Sequence, residues 1–206
     1  MMTPAQTLAA SRPRIEGERE TEIYGVVLSL LVEGGYDKLT FDAVAAAARV
    51  SKATLYRRWS GKPELVLDAF THDKAVQPVP ADTGSLREDL LTMACGPGGV
   101  CGKSPALLGA LFPALQRDPE LFAAFRARVV EPPLRVAVEV MQRAQRRGEI
   151  ASGVDLDLLA ITLPALCIHE SVLHGTPITR ERVSQILDTV VLPAARRGLD
   201  PGTTGS

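Results

Sequence analysis

Aromatic residues make up only 4% of the 206-residue chain, and period-2 alternation of β-branched side chains is hard to find, so a sheet-based fold is not expected. Cysteine is scarce too. Cys95, Cys101 and Cys167 form an odd set without a CxxC pair, which fits reduced thiols better than a disulfide framework or a zinc site. The longest nearly apolar run, Leu156 to Ile168, contains Asp157, Thr162 and Pro164 and is shorter than the roughly 18 residues that argue for a membrane span. The opening "MMTPAQTLAASRPR" has no basic segment followed by an apolar one, which excludes a secretory signal and leaves the cytoplasm as the expected compartment. Histidines are few, and His169 and His174 are five apart, on different faces of a helix, so no metal site is expected. No Ser-His-Asp set, no phosphate-cradling glycine loop after a strand and no paired carboxylates in a pocket context are found; neither catalysis nor a cofactor is expected.

What is present is helical. Hydrophobic residues reach 46%, enough to bury a core, and long stretches rich in Ala, Leu, Val, Glu and Arg predict an all-α protein. The Pro- and Gly-containing connector "DKAVQPVPADTGS" divides the chain into a smaller domain at 15–74 and a larger one at 84–198. In the first, Ile23, Val26, Val27, Leu30 and Leu31 share one helical face, and "EGGYDKLT" ends that helix. Thr40 then caps "FDAVAAAA", Ser51 caps a third helix after a tight turn, and Pro63 suits the first turn of a fourth whose Leu65, Val66, Ala69 and Phe70 form a stripe.

The window from Arg49 to Lys62 holds Arg49, Lys52, Arg57, Arg58 and Lys62 without one Asp or Glu, in a chain whose net charge is only -1. A solvated charged face explains many such runs, but not the two caps and the short turn between two short helices. That spacing is the helix-turn-helix pattern, whose second helix enters the major groove of DNA. On that reading Lys52, Ala53 and Thr54, following the cap Ser51, meet base edges, whereas Thr40, Tyr56, Arg57 and Lys62 carry donors for phosphates. Leu55 and Val50 pack inward, against Val44 and Leu31. Arg12 and Arg14 are candidates for a minor-groove arm.

"GGYDKLTFDAVAAAARVSKATLYRRWSGKPEL" resembles the DNA-binding module of the TetR/AcrR transcriptional regulators across its Gly-Tyr, Thr40, Val44-Ala45, Val50-Ser51, Thr54-Leu55-Tyr56, Trp59 and Lys62 positions. Arg49 stands where the turn commonly has Gly, and Pro63 where an acidic residue is usual. The resemblance implies a homodimeric repressor whose divergent second domain binds a small molecule. The alternative is a constitutive or architectural DNA-binding protein whose second domain only dimerises.

In the second domain, Asp118 and Asp155 cap helices, Pro132-Pro133 are expected to kink or break one, and Pro164 lies inside another. Between the bent helices an apolar effector pocket is expected, lined by Leu108, Phe112, Phe122, Phe125, Met141 and Cys167, with His169 as polar anchor. Val183, Ile186, Leu187, Val190 and Val191 form a stripe assigned to a two-fold dimer interface, which suits an inverted-repeat, double-stranded operator.

Overall fold

The computed structural model describes residues 17–72, 82–96, 99–101 and 104–197. Arg12, Arg14 and most of the connector therefore lie outside the described residues. Every regular element among those described is helical. The first four helices are α1 (Glu18–Lys38), α2 (Phe41–Ala47), α3 (Lys52–Arg58) and α4 (Lys62–Thr71). They are followed by α5 (Leu86–Cys95), α6 (Pro105–Arg117), α7 (Pro119–Phe125), α8 (Glu131–Arg146), α9 (Leu156–His174), α10 (Arg180–Ile186) and α11 (Leu192–Arg196).

The sequence-assigned caps are in place. Thr40, Ser51 and Asp155 accept from backbone N–H groups three residues on, at 3.0 to 3.1 Å, and Asp118 accepts from both Glu120 and Leu121. Gly35 breaks the helical path of α1 at φ 74°, where a Cβ would be strained.

Pro132-Pro133, expected to kink or break a helix, follow an interruption of the α-helical register. Pro132-Pro133 do not break the chain's course: α7 runs into α8 through one π-helical turn, Arg126–Val130, in which the Glu131 N–H reaches back five residues to the Arg126 carbonyl. A second π turn, Leu187–Val191, joins α10 to α11 just ahead of Pro193. A proline ring collides with the carbonyl four residues back, and one extra residue in the turn moves that carbonyl aside.

Two buried clusters organise the molecule. The first gathers Ile23, Val27, Leu31, Val44, Leu55, Trp59, Leu65 and Val66 from α1 to α4, and continues into Leu111, Leu121, Phe125 and Val129 of α6, α7 and the first π turn. α1 lies against both α4 and α6, so the head is built onto the rest of the chain through a shared apolar core. The second cluster joins α5, α8, α9, α10 and the second π turn.

Two expectations are corrected here. Val183, Ile186, Leu187 and Val191 are buried inside the second cluster, where α5, α9 and the second π turn consume the stripe within one chain. Of the five residues assigned to dimerisation, Val190 alone is exposed. Cys95 and Cys101 are not separate thiols but a disulfide, with Cα atoms 4.9 Å apart. The helix end at Cys95 and the returning backbone, whose Val100 and Cys101 N–H groups both donate to the Ala94 carbonyl, bring them together.

Candidate nucleic-acid interface and adjoining cavity

α2 and α3 meet across Ala48 to Val50. Arg49 takes φ 53°, the left-handed conformation that glycine adopts more easily. Arg19 of α1 offsets that strain by donating to the Ala48 and Arg49 carbonyls at 2.8 and 3.2 Å, while the Val50 N–H closes back on Ala45. The turn is therefore held from outside itself. At the other end of α3, Trp59 is fully buried, lies edge-on to Tyr24, and donates its indole N–H to Asp68 on α4 at 2.8 Å. Arg58 pairs with Glu20 at 3.1 Å, and Tyr24 donates to the same carboxylate oxygen. Burial, reinforced by Glu20, raises the Tyr24 hydroxyl above its ordinary range, so it remains a donor.

These anchors leave one face of α3 outward. Lys52, Ala53, Tyr56 and Arg57 are exposed and Thr54 half-buried, its hydroxyl bonded to that of Ser51 at 2.7 Å. Leu55 is buried beneath them with Val44 and Leu31, and Val50 packs at the edge, as the sequence implied. Tyr56 stacks on Phe41 with ring centroids 4.5 Å apart, which fixes the direction of its hydroxyl. Lys52 pairs with Asp42 at 2.6 Å, but both are well exposed; such a pair contributes little and can be exchanged for a phosphate or base edge. Lys62 donates to the Tyr36 carbonyl at 3.0 Å and lies 4.2 Å from that ring's centroid, which points its ammonium group while leaving donors over. Burial pushes the Tyr36 hydroxyl up to about 12, so the ring under Lys62 stays neutral. Thr40, Ser51, Lys52, Ala53, Thr54, Tyr56, Arg57 and Lys62 thus fall on the two short helices and the mouth of α4.

Behind this head lies a cavity of about 360 Å³. Leu108, Phe112, Phe125, Met141 and Cys167 line it, as the sequence suggested. Phe122 and His169 do not: Phe122 is 47% exposed and His169 is exposed as well. The polar residue in the wall is instead Ser171, which the i, i+4 spacing from Cys167 could have revealed. Sequence reasoning also missed Phe70 on α4 and Val129 and Val130 on the first π turn. Phe70 meets Phe125 edge-on at 5.7 Å, so the head and the second half of the chain share a wall.

Comparison with known proteins agrees with this geometry. Residues 26–69 match the family model "Bacterial regulatory proteins, tetR family", and residues 80–190 match "Tetracyclin repressor-like, C-terminal domain". An uncharacterized HTH-type transcriptional regulator of Mycobacterium tuberculosis is 39% identical over 199 residues, covering 95% of this chain and 98% of the relative. The DNA-binding transcriptional repressor TetR of Mycobacteroides abscessus is 35% identical, covering 87% and 95%. Among solved structures, a TetR family transcription regulator superposes with a TM-score of 0.58 at 30% identity, covering 86% of this chain and 98% of the other. Salmonella enterica GusR shares the fold at a TM-score of 0.65 and 17% identity, covering 88% and 99%. With its helix-turn-helix head and its helical second half both matched, the chain belongs to the TetR family of DNA-binding transcriptional regulators.

Proposed function

We propose that this regulator is a repressor that leaves an inverted-repeat operator when a small hydrophobic molecule enters the cavity behind its head. The observation that carries the reading is Phe70: a residue of α4, the helix that holds Trp59 and so the end of α3, stands in the cavity wall. A second link runs beside it. Arg128, on the π turn that supplies Val129 and Val130 to the wall, pairs with Asp68, whose other oxygen accepts from Trp59. A molecule that displaces Phe70 or the π turn moves α4, and with it the distance between two recognition helices. Release needs only about 1 to 3 kcal/mol of coupling between the two sites. The name of the Mycobacteroides abscessus relative supports repression as the direction.

The homodimer forms through α9. Leu158 and Leu173 are 61% and 68% exposed, and Ile161 lies between them on the same side, with Val190 on the second π turn that packs against α9. By length and composition α9 is apolar enough to cross a membrane, but one side of it packs on α8 and α10 and lines the cavity; its outward side suits a second copy. A DNA-binding dimer of this kind works in the cytoplasm, beside the chromosome.

Operator DNA selected by the purified protein from a random pool tests the reading, followed by a screen of apolar compounds for thermal stabilisation and release of that DNA. A compound is expected to do both, and Phe112→Trp, which fills the cavity, is expected to stay bound to operator in its presence. A filled variant that responds unchanged refutes the effector site. If no compound releases the operator, the constitutive DNA-binding reading replaces this one.

A further inference from the structure

The cavity wall specifies more than apolarity. Among the described residues it is lined by Phe, Leu, Met, Val, Ile, Ala and Pro side chains and one Gly, together with Cys167 and Ser171, and no Asp, Glu, Lys, Arg or His is among these. Cys167 is almost fully buried, and burial pushes its thiol up to about 11, so it supplies no charge at neutral pH. A carboxylate or ammonium group in this space loses its water and meets no counter-charge among the described lining residues, which disfavours the ionised form.

Ser171 is the exception to the apolar wall. It is only 6% exposed, one of two buried polar or charged residues among those described, and it faces the cavity one helical turn beyond Cys167. The other, Asp89, is satisfied by the Thr83 N–H and hydroxyl at 2.7 Å each and by Arg147. None of the hydrogen bonds among the described residues runs to the Ser171 hydroxyl, and its oxygen is not one of the fully buried unpartnered atoms, so it opens onto accessible space. Its residue lines the cavity, so the hydroxyl keeps its donor and acceptor capacity for a molecule held there.

We infer that the effector is an uncharged, mainly hydrocarbon molecule with one hydrogen-bonding oxygen seated against Ser171. This rests on the reading of the cavity as the effector site. The serine can donate to a carbonyl or ether oxygen and can donate to or accept from an alcohol, so the class is neutral alcohols, phenols, ketones and esters. Anionic fatty acids and cationic amphiphiles are rejected by the wall.

Three probes with the same chain, 1-octanol, octanoate and octane, separate the possibilities. Binding is measured at pH 7.5 by displacement of an environment-sensitive apolar dye and by thermal stabilisation, in wild type and in Ser171→Ala. The expected order is 1-octanol first, octane next and octanoate last. Ser171→Ala should weaken 1-octanol about tenfold while leaving octane unchanged, because one net hydrogen bond is lost. Octanoate binding as tightly as 1-octanol, or equal losses for 1-octanol and octane in the variant, overturns this inference while the effector cavity stands. Failure of all three to bind removes the cavity reading and this inference with it.

Discussion

Asp68→Ala tests the joint between the cavity and the recognition helix. The carboxylate has two partners: the indole N–H of Trp59 at 2.8 Å, and the guanidinium of Arg128. Trp59 is fully buried, so the substitution leaves an indole N–H without an acceptor, at about 1 to 3 kcal/mol. The Arg128 side chain is 40% exposed, and that ion pair is worth at most about 1 kcal/mol after screening. The sum is roughly 1 to 4 kcal/mol, most of it from Trp59. Arg128→Ala should therefore cost less than about 1 kcal/mol, since Asp68 keeps its indole partner. Trp59 is the chain's single tryptophan, so its emission during urea unfolding reports on this joint directly. Asp68→Ala should lower the urea midpoint and red-shift the native emission, whereas Arg128→Ala should leave both nearly in place but raise the effector concentration needed for operator release. An Asp68→Ala protein within a few tenths of a kcal/mol of wild type, or an Arg128→Ala protein that loses more than Asp68→Ala, refutes the reasoning.

Leu158→Asp combined with Leu173→Asp should give folded monomers by sedimentation, whereas Leu187→Asp, which buries a charge in the chain's own core, should unfold the protein; the opposite pattern returns the interface to the Val183–Val191 stripe. Thr54→Ala should relax base preference at one position of each half-site by about 1 to 3 kcal/mol, read by competition with operator variants. Lys62→Ala should instead weaken all sequences and reduce the salt slope by about one, read by titration at several salt concentrations. The Arg87 guanidinium holds the Asp188 carboxyl below its ordinary value of 3.8. That contribution is present above the unfolded pKa and is lost as pH falls through the lower folded value, so an acid titration followed by circular dichroism should show Arg87→Ala losing the share that wild type retains in that window.

The head was readable because its signals are local. A cap acts over three residues, so Thr40 and Ser51 declare their helix starts without reference to the rest of the fold, and the short turn between them leaves a single arrangement for the helices. Arg49 marks the limit of that kind of reading. Its positive φ is tolerated because Arg19, 30 residues earlier, staples the turn, and no local pattern announces that partnership. The prolines show the same limit. A proline pair predicts a broken helix only if the hydrogen-bond register is fixed, and a π turn changes the register by one residue.

The second half was harder because an apolar stripe states that a face is buried, not what buries it. Val183, Ile186, Leu187 and Val191 make the same pattern whether α5 and α9 cover them or a second chain does. The discriminating feature was on α9, which is apolar around most of its circumference: Leu159, Leu163 and Cys167 face inward while Leu158, Ile161 and Leu173 face out. A helix apolar on both sides must bury both, and one chain supplies cover for only one of them. The cavity and the proposed interface both draw on that single element, since its inner side carries Cys167 and Ser171 into the cavity wall while its outer side exposes Leu158 and Leu173. Ile161 belongs to both, lining the cavity and standing 44% exposed, so under the proposed function a molecule that fills the cavity would press on the helix proposed for the dimer interface as well as on α4.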